Sequence, residues 1–132
     1  MREILQVKTR GKTEFLDITQ EIQDILSREE IKEGVMVLYT KHTTTALSIN
    51  ENEEGLVADM EEILEKLVPP ADYRHDQIDN NAESHLRSIL LGQHLVIPFI
   101  NCRLELGSWQ RIFFVELDGP RTRNIIVRSI ID

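Results

Sequence analysis

Apolar and polar positions alternate along this chain with two different periods, which predict a mixture of strands and helices. Alternation of period two, with many β-branched residues, predicts strands over residues 2–9, 13–18, 35–39, 46–49, 95–99, 103–106, 110–117 and 124–131. Apolar spacings of three and four predict helices that end near residues 28, 67 and 91. Because strands and helices do not alternate regularly, the pattern favours an α+β fold over a doubly wound parallel sheet.

The N-terminal segment is typical of two strands joined by a tight turn. Arg10-Gly11-Lys12 separates these strands, which predicts a hairpin. Asp17 or Thr19 is predicted to cap the helix that follows. One face of that helix is apolar and is predicted to enter the core; it contains Ile18, Ile22, Ile25 and Leu26.

The polar segment of residues 39–52 connects a strongly strand-like part of the chain to its longest amphipathic helix. It contains His42, three consecutive threonines, a serine, two asparagines and Glu51. Asn50, with Glu53 three residues later, forms a capping pair, which predicts a helix that begins at residue 51. Polar side chains between two apolar segments favour a functional site; the alternative is an ordinary capped junction.

The second and third helices each carry an apolar stripe that is predicted to face the core. The stripe of the second helix contains Leu56, Val57, Met60, Ile63, Leu64 and Leu67. Asn80 with Glu83 is predicted to cap the third helix, and its apolar face contains Ala82, His85, Leu86, Ile89 and Leu90. The polar loop of residues 69–81 between the helices is long for a small domain, which is typical of a functional loop.

Length and composition narrow the classes of function. The chain of 132 residues is predicted to form a single domain over residues 1–132. A net charge of −8 argues against nucleic acid as a partner, because phosphate contacts need a basic surface. No segment resembles a membrane span of about 18 apolar residues or a signal peptide, so the predicted location is cytoplasmic. A single cysteine, Cys102, excludes an internal disulfide and a cysteine-rich metal site.

Three of the four histidines lie where they could share a site. His42 follows a strand, His75 lies in the long loop, and His85 lies on the apolar face of the third helix, whereas His94 is predicted to lie on the surface. Imidazoles near carboxylates such as Glu51 suit zinc or another transition metal, although no specific ligand spacing is present. The alternative for each ring is an ordinary structural histidine.

Other residues are candidates for binding a substrate or a second copy of the chain. Lys41 and Arg121 could bind an anionic substrate, although Arg121 could equally decorate a hairpin turn. Trp109 is typical of a core or interface anchor, and Gln110 beside it could hydrogen-bond a ligand. The C-terminal strands are more apolar than one small core needs, which predicts an interface that uses Phe113, Phe114, Ile125, Ile126, Ile130 and Ile131.

Four segments form a specific set of motifs: HTTTALSINEN at 42–52, YRHD at 73–76, NAESHLRSILLG at 81–92 and LGSWQRIFFVELDGPR at 106–121. In order and spacing they resemble the YjbQ-like family (UPF0047), also called secondary thiamine-phosphate synthases. The resemblance implies an α+β fold with a β-sandwich-like core, helices packed on one side, and assembly as a homotrimer. It also implies a polar site that contains His42, Glu51, Asn52, His75, Asp76, His85, Trp109 and Gln110.

The same resemblance implies an enzyme that joins a hydroxymethylpyrimidine diphosphate to a thiazole phosphate and releases diphosphate, as a main or a side activity. The predicted catalytic residues are His42, Glu51, Asp76 and His85. The predicted substrate-binding residues are Lys41, Asn52, Trp109, Gln110 and Arg121. The predicted ligands of a divalent metal, zinc or magnesium, are His42, His75 and His85. The alternatives are a non-catalytic trimer that binds a metal or small ligand, and a metal-assisted hydrolase of a phosphorylated metabolite.

Overall fold

The computed structural model describes residues 1–131, which form two antiparallel sheets and three α-helices. The strands are β1 (Arg2–Lys8), β2 (Glu14–Asp17), β3 (Glu33–Thr40), β4 (Thr45–Asn50), β5 (His94–Ile100), β6 (Arg103–Leu104), β7 (Arg111–Glu116) and β8 (Thr122–Ile130). The helices are α1 (Thr19–Arg28), α2 (Glu54–Leu67) and α3 (Ala82–Leu91), and a short 3-10 helix spans Arg74–Gln77. No helix within these residues has the length and apolar character needed to cross a membrane.

The two sheets face each other around the main core, and the α+β prediction is confirmed. The larger sheet has the strand order β1-β8-β3-β5-β6 and the smaller one β2-β7-β4. Side chains from both sheets and from α1 fill the space between them. α2 and α3 lie on the other face of the smaller sheet, where Phe113 and Val115 share a cluster with Leu64. β7 is therefore covered on both faces, which explains its nearly continuous apolar sequence.

The predicted N-terminal hairpin is wrong. β1 pairs with β8 and β2 pairs with β7, so the first two strands belong to different sheets. Thr9 holds the crossing between them, because its backbone N–H donates to the Arg121 carbonyl and its hydroxyl donates to the Glu116 carboxylate. The turn that follows β1 therefore carries the chain from one sheet to the other.

The predicted cap of α2 is also wrong. Asn50 is the last residue of β4 and pairs with Arg111 of β7. The helix is capped by Glu53, whose carboxylate accepts hydrogen bonds from two backbone N–H groups of the first turn. A carboxylate at this position also interacts favourably with the helix dipole. Glu51 and Asn52 therefore lie in the connection that precedes α2, outside its first turn.

α3 directs the large apolar side chains of its predicted face outward, opposite to the prediction, although Ala82 on that face is buried as predicted. Its buried side chains hydrogen-bond to backbone carbonyls of neighbouring elements: Ser84 donates to Leu117, Arg87 to Val68, and Ser88 to Thr45. Ile89 is 71% exposed and Leu90 is 60% exposed. Of the stripe predicted for α2, only Leu64 is buried. Two helices thus leave apolar surface uncovered within one chain.

Candidate functional site

The three candidate histidines line two adjoining hollows that share His85. One hollow, of about 560 Å³, lies between the 3-10 helix and α3, and its lining includes Arg74, His75 and His85. The other, of about 380 Å³, lies between α3 and the β3–β4 connection, and its lining includes Lys41, His42 and His85. We call the two hollows together the histidine groove. The structure thus brings together three histidines from three separate segments.

A backbone hydrogen bond fixes the ring of His42. Its Nε2 lies 3.0 Å from the backbone nitrogen of Asn124, which can only donate, so Nε2 is the unprotonated ring nitrogen. The proton of the neutral ring is therefore on Nδ1. The backbone of His42 is held as well, because its N–H donates to Thr40 Oγ1 and its carbonyl accepts from Thr45 Oγ1. The side chain can donate a hydrogen bond only through Nδ1.

The surroundings of His42 favour the neutral ring. Burial lowers the pKa of His42 below the usual 6.5, and the positive charge of Arg123 lowers it further. The charges of Lys41 and Arg121 act in the same direction, whereas the carboxylate of Glu116 opposes them. His42 is therefore neutral at pH 7 and keeps its Nε2 as an acceptor.

A buried ion pair beside His42 is a feature that the sequence analysis did not identify. Arg123 is 3% exposed and Glu116 is 0% exposed. Arg123 Nε donates to Glu116 Oε1 at 2.8 Å, and a second nitrogen of Arg123 donates to Thr44 Oγ1 at 3.0 Å. Burial raises the pKa of Glu116, but hydrogen bonds from Arg123 and Thr9 outweigh it, and the pKa lies below 4.5. The sequence signal was weak, because the two strands that carry Glu116 and Arg123 each contain another charged residue, Arg111 in β7 and Arg128 in β8.

His75 and His85 contact each other on the other side of the groove. Their rings are nearly perpendicular, with centroids 4.7 Å apart. The Nε2 atom of His75 lies 2.9 Å from Oδ1 of Asn81, the residue that precedes α3. Two segments that are separate in the sequence motifs therefore form one local structure.

Asp76 joins the 3-10 helix to α3. Its Oδ1 accepts a hydrogen bond at 3.1 Å from the backbone N–H of Ala82, the first residue of the helix. The cap predicted from Asn80 and Glu83 is therefore wrong, because a carboxylate from the preceding loop takes that place. This bond ties the 3-10 helix that carries His75 to the helix that carries His85, which gives Asp76 a structural part in the site.

Four predicted site residues lie at the end of the smaller sheet that is distant from His42. β4 runs from Thr45, near His42, to Asn50, and its five residue steps span about 17 Å. Asn52 donates to Asp17 at 3.1 Å, and Trp109 is 73% exposed. The residues at this far end are Glu51, Asn52, Trp109 and Gln110. A single chain therefore does not bring all the predicted site residues into one place.

The histidine groove carries positive charge although the chain is acidic overall. Lys41 and Arg74 belong to its lining, and Asp72 is an acidic residue there. Arg121 lies close enough to lower the pKa of His42. Arg74 was not among the substrate-binding residues predicted from the sequence. The balance of charge around the groove suits an anionic ligand.

The predicted zinc or magnesium site does not fit this arrangement. Within residues 1–131, no three histidine, cysteine, aspartate or glutamate side chains converge as ligands of one ion. His42 cannot bind a metal through Nε2 while that nitrogen accepts from Asn124.

Comparison of the whole chain with known proteins identifies its relatives. The family described as "UPF0047 protein YjbQ-like" matches residues 3–132. A UPF0047 protein of Archaeoglobus fulgidus is 47% identical over 127 residues, which cover 96% of this chain and 98% of that protein. The UPF0047 protein YugU of Bacillus subtilis is 36% identical over 133 residues, which cover 98% of this chain and 99% of that protein.

Solved structures of similar proteins match this chain over its full length. A hypothetical protein from Aeropyrum pernix matches with a TM-score of 0.96 at 37% identity, covering 100% of this chain and 99% of its own. A YbjQ-like protein of unknown function from Sulfolobus solfataricus matches with a TM-score of 0.96 at 35% identity, covering 100% and 97%. The resemblance inferred from the motifs is confirmed, and the chain belongs to the YjbQ-like UPF0047 family.

Proposed function

We propose that this chain is a transferase that joins a hydroxymethylpyrimidine diphosphate to a thiazole phosphate in the histidine groove. The bond between the methylene carbon and the diphosphate oxygen breaks, diphosphate keeps the electron pair, and the thiazole nitrogen bonds to the carbon. The observation that carries the proposal is the neutral Nδ1–H donor of His42 beside several cations, in an otherwise acidic protein. The names of the relatives state no activity, so the reaction rests on this geometry and on the motif resemblance.

Loss of diphosphate requires positive charge and hydrogen-bond donors, because negative charge builds up on the leaving oxygen. Lys41 and Arg74 supply charge from the lining of the groove. Arg121, in the connection between β7 and β8, is paired with the carboxylate of Asp118. The Nδ1–H of His42 donates a hydrogen bond to the leaving oxygen. His85, which both hollows share, lies where the two substrates meet.

We further propose that the chain forms a homotrimer, which brings the far-end site residues of one copy to the groove of the next. Exposed apolar side chains lie on two elements, and Tyr39 and Ile89 among them line the same hollow of the groove. They are Leu86, Ile89 and Leu90 on α3, and Ile4, Tyr39, Val96, Ile100 and Ile130 on the outer face of the larger sheet. Exposed apolar areas of this kind are typical of interfaces. In a head-to-tail ring each copy uses one of these elements to contact the copy before it and the other to contact the copy after it.

The double variant Ile89→Ser, Leu90→Ser is expected to convert the trimer into a monomer. The change removes two large apolar side chains from the exposed surface of α3. Sedimentation velocity should give three chain masses for the native protein and a single 15.3 kDa chain for the variant. The matched control is Glu65→Ser on the exposed side of α2, which should remain trimeric. A native protein that sediments as a monomer at micromolar concentration contradicts the proposal.

The proposed reaction is tested by measuring diphosphate release and product formation from the two phosphorylated heterocycles. Release should require both substrates, should fall by at least about 10²-fold in His42→Ala, and should be unchanged in Glu65→Ser on the exposed side of α2. Release of phosphate or diphosphate from one substrate alone would favour a hydrolase. Binding of the substrates without release would favour a non-catalytic binding protein. Both of these outcomes contradict the transferase.

A further inference from the structure

A line of hydrogen bonds links the 3-10 helix, the start of α3 and the β7–β8 connection. His75 Nε2 lies 2.9 Å from Asn81 Oδ1, and Asn81 Nδ2 donates to Asp118 Oδ2 at 3.0 Å. The guanidinium of Arg121 donates to the same carboxylate oxygen at 3.2 Å. Side chains from the start of α3 and from the β7–β8 connection are thereby linked to the ring of His75 in the histidine groove.

The carboxylate of Asp118 sets the direction of these bonds. An ionised carboxylate can only accept, so the amide nitrogen of Asn81 must face it. The amide oxygen of Asn81 then faces His75, and this oxygen can only accept as well. His75 therefore carries a proton on Nε2, and the lone pair of its neutral ring is on Nδ1. This arrangement is the reverse of that in His42, where Nε2 is the acceptor.

We infer that Asn81 and Asp118 are positioning residues that fix the tautomer of His75, so that its Nδ1 accepts a hydrogen bond from an N–H group of the substrate heterocycle. The role toward substrate rests on the proposed function, whereas the tautomer does not. The groove then offers an acceptor at His75 and a donor at His42. An amino-substituted pyrimidine diphosphate matches both, because its amino group donates and its diphosphate accepts.

Backbone contacts hold this line of bonds in place without a ligand. The backbone N–H of Asp118 donates to Glu116 Oε2 at 3.1 Å, which ties the connection to the buried ion pair. The carbonyl of Asn81 accepts from the N–H groups of Ser84 and His85 in the first turn of α3. The side chain of Asn81 makes no capping bond to the helix, so its replacement should leave α3 intact.

Nitrogen-15 NMR of the imidazole rings, at a pH where they are neutral, tests the tautomer directly. The native protein should carry the proton on Nε2 of His75 and on Nδ1 of His42. Asn81→Leu should reduce the preference for the Nε2 proton in His75 by roughly threefold to tenfold. The control Asn80→Leu replaces an exposed asparagine outside the line of bonds and should change nothing. A proton on Nδ1 of native His75, or an unchanged preference in Asn81→Leu, overturns the inference.

Variants of Asp118 keep the test decisive if Asn81→Leu does not fold. Asp118→Leu retains Asn81 but removes the acceptor that orients its amide, so the tautomer preference should fall by a similar factor. Asp118→Asn should rescue it, because its side-chain oxygen can still accept from the Asn81 amide. A native preference in Asp118→Leu overturns the positioning role.

Binding of two small probes tests the role toward substrate without requiring turnover. The affinity for 4-aminopyrimidine, measured by calorimetry, should fall roughly threefold to tenfold in Asn81→Leu. The affinity for 4-methylpyrimidine, which has no N–H donor, should not change. Equal losses for both probes, or no binding of 4-aminopyrimidine to the native protein, overturn this role. The expected tautomer and binding without any turnover would support the inference and contradict only the transferase reaction.

Discussion

Replacing Arg123 with methionine is expected to lower the free energy of unfolding by about 3–5 kcal/mol. The change leaves Glu116, whose side chain is fully buried, without its cation. The Thr9 hydroxyl and two backbone N–H groups still donate to this carboxylate, but they carry no net charge. Because an uncompensated buried charge costs more than a lost neutral hydrogen bond, the effect should be large. Equilibrium unfolding in urea measures it.

Two other variants separate the effect of charge from that of packing. Arg28→Met breaks the exposed pair with Glu3 and should cost less than about 1 kcal/mol, because solvent screens such pairs. Combining Arg123→Met with Glu116→Leu removes both buried charges and should recover much of the lost stability. A loss below about 1 kcal/mol in Arg123→Met alone would mean that the pair does not stabilise the fold.

Acid should weaken the same pair. Burial raises the pKa of Glu116, but the hydrogen bonds from Arg123 and Thr9 bring it below 4.5. The native carboxyl group therefore binds fewer protons than the unfolded one. Its stabilising effect is fully present above about pH 4.5 and is lost as the pH falls through the pKa of the folded state. Arg123→Met should remove this component from the acid dependence of urea unfolding.

His42→Asn is expected to retain more activity than His42→Gln. The amide nitrogen of asparagine can take the place of Nδ1 and donate, whereas glutamine reaches the place of Nε2 and can replace only the acceptor for Asn124. If Nδ1–H donation assists departure of diphosphate, His42→Gln should lower kcat/KM by about 10²–10⁴-fold, as His42→Ala does. Greater activity in His42→Gln than in His42→Asn would contradict this role, and Glu65→Ser again serves as the control.

The pH dependence of kcat/KM should report the same ring. Burial and the charge of Arg123 lower the pKa of His42 below 6.5, so the neutral form persists below that pH. Protonation places a hydrogen on Nε2 and breaks the bond from the N–H of Asn124. Activity should therefore fall only as the pH drops through the lowered pKa, and the residual activity of His42→Ala should lack this acidic limb. A midpoint above pH 6.5 would contradict the assignment.

The strands and helices follow from local periodicity, and the predicted ends lie within about three residues of the observed ones. The predicted caps of α2 and α3 and the hairpin failed for a shared physical reason. Asparagine is a residue type that commonly caps helices, yet Asn50 pairs with Arg111 in the smaller sheet. Because this pairing holds Asn50 in a strand, α2 begins further along the chain. A competition between a local bond and a distant one cannot be read from neighbouring residues alone.

By itself, the sequence determined the α+β class, the family and the three histidines of the groove, because periodicity and motifs are local properties. Only the tertiary structure decided which face of α3 is buried, since hydrogen bonds from Ser84 and Ser88 to backbone carbonyls hold its polar side inward. The tertiary structure also places the predicted site residues at the two ends of β4, and not in one place. The proton positions of His42 and His75 were decided in the same way, because each depends on a hydrogen-bond partner outside its own segment.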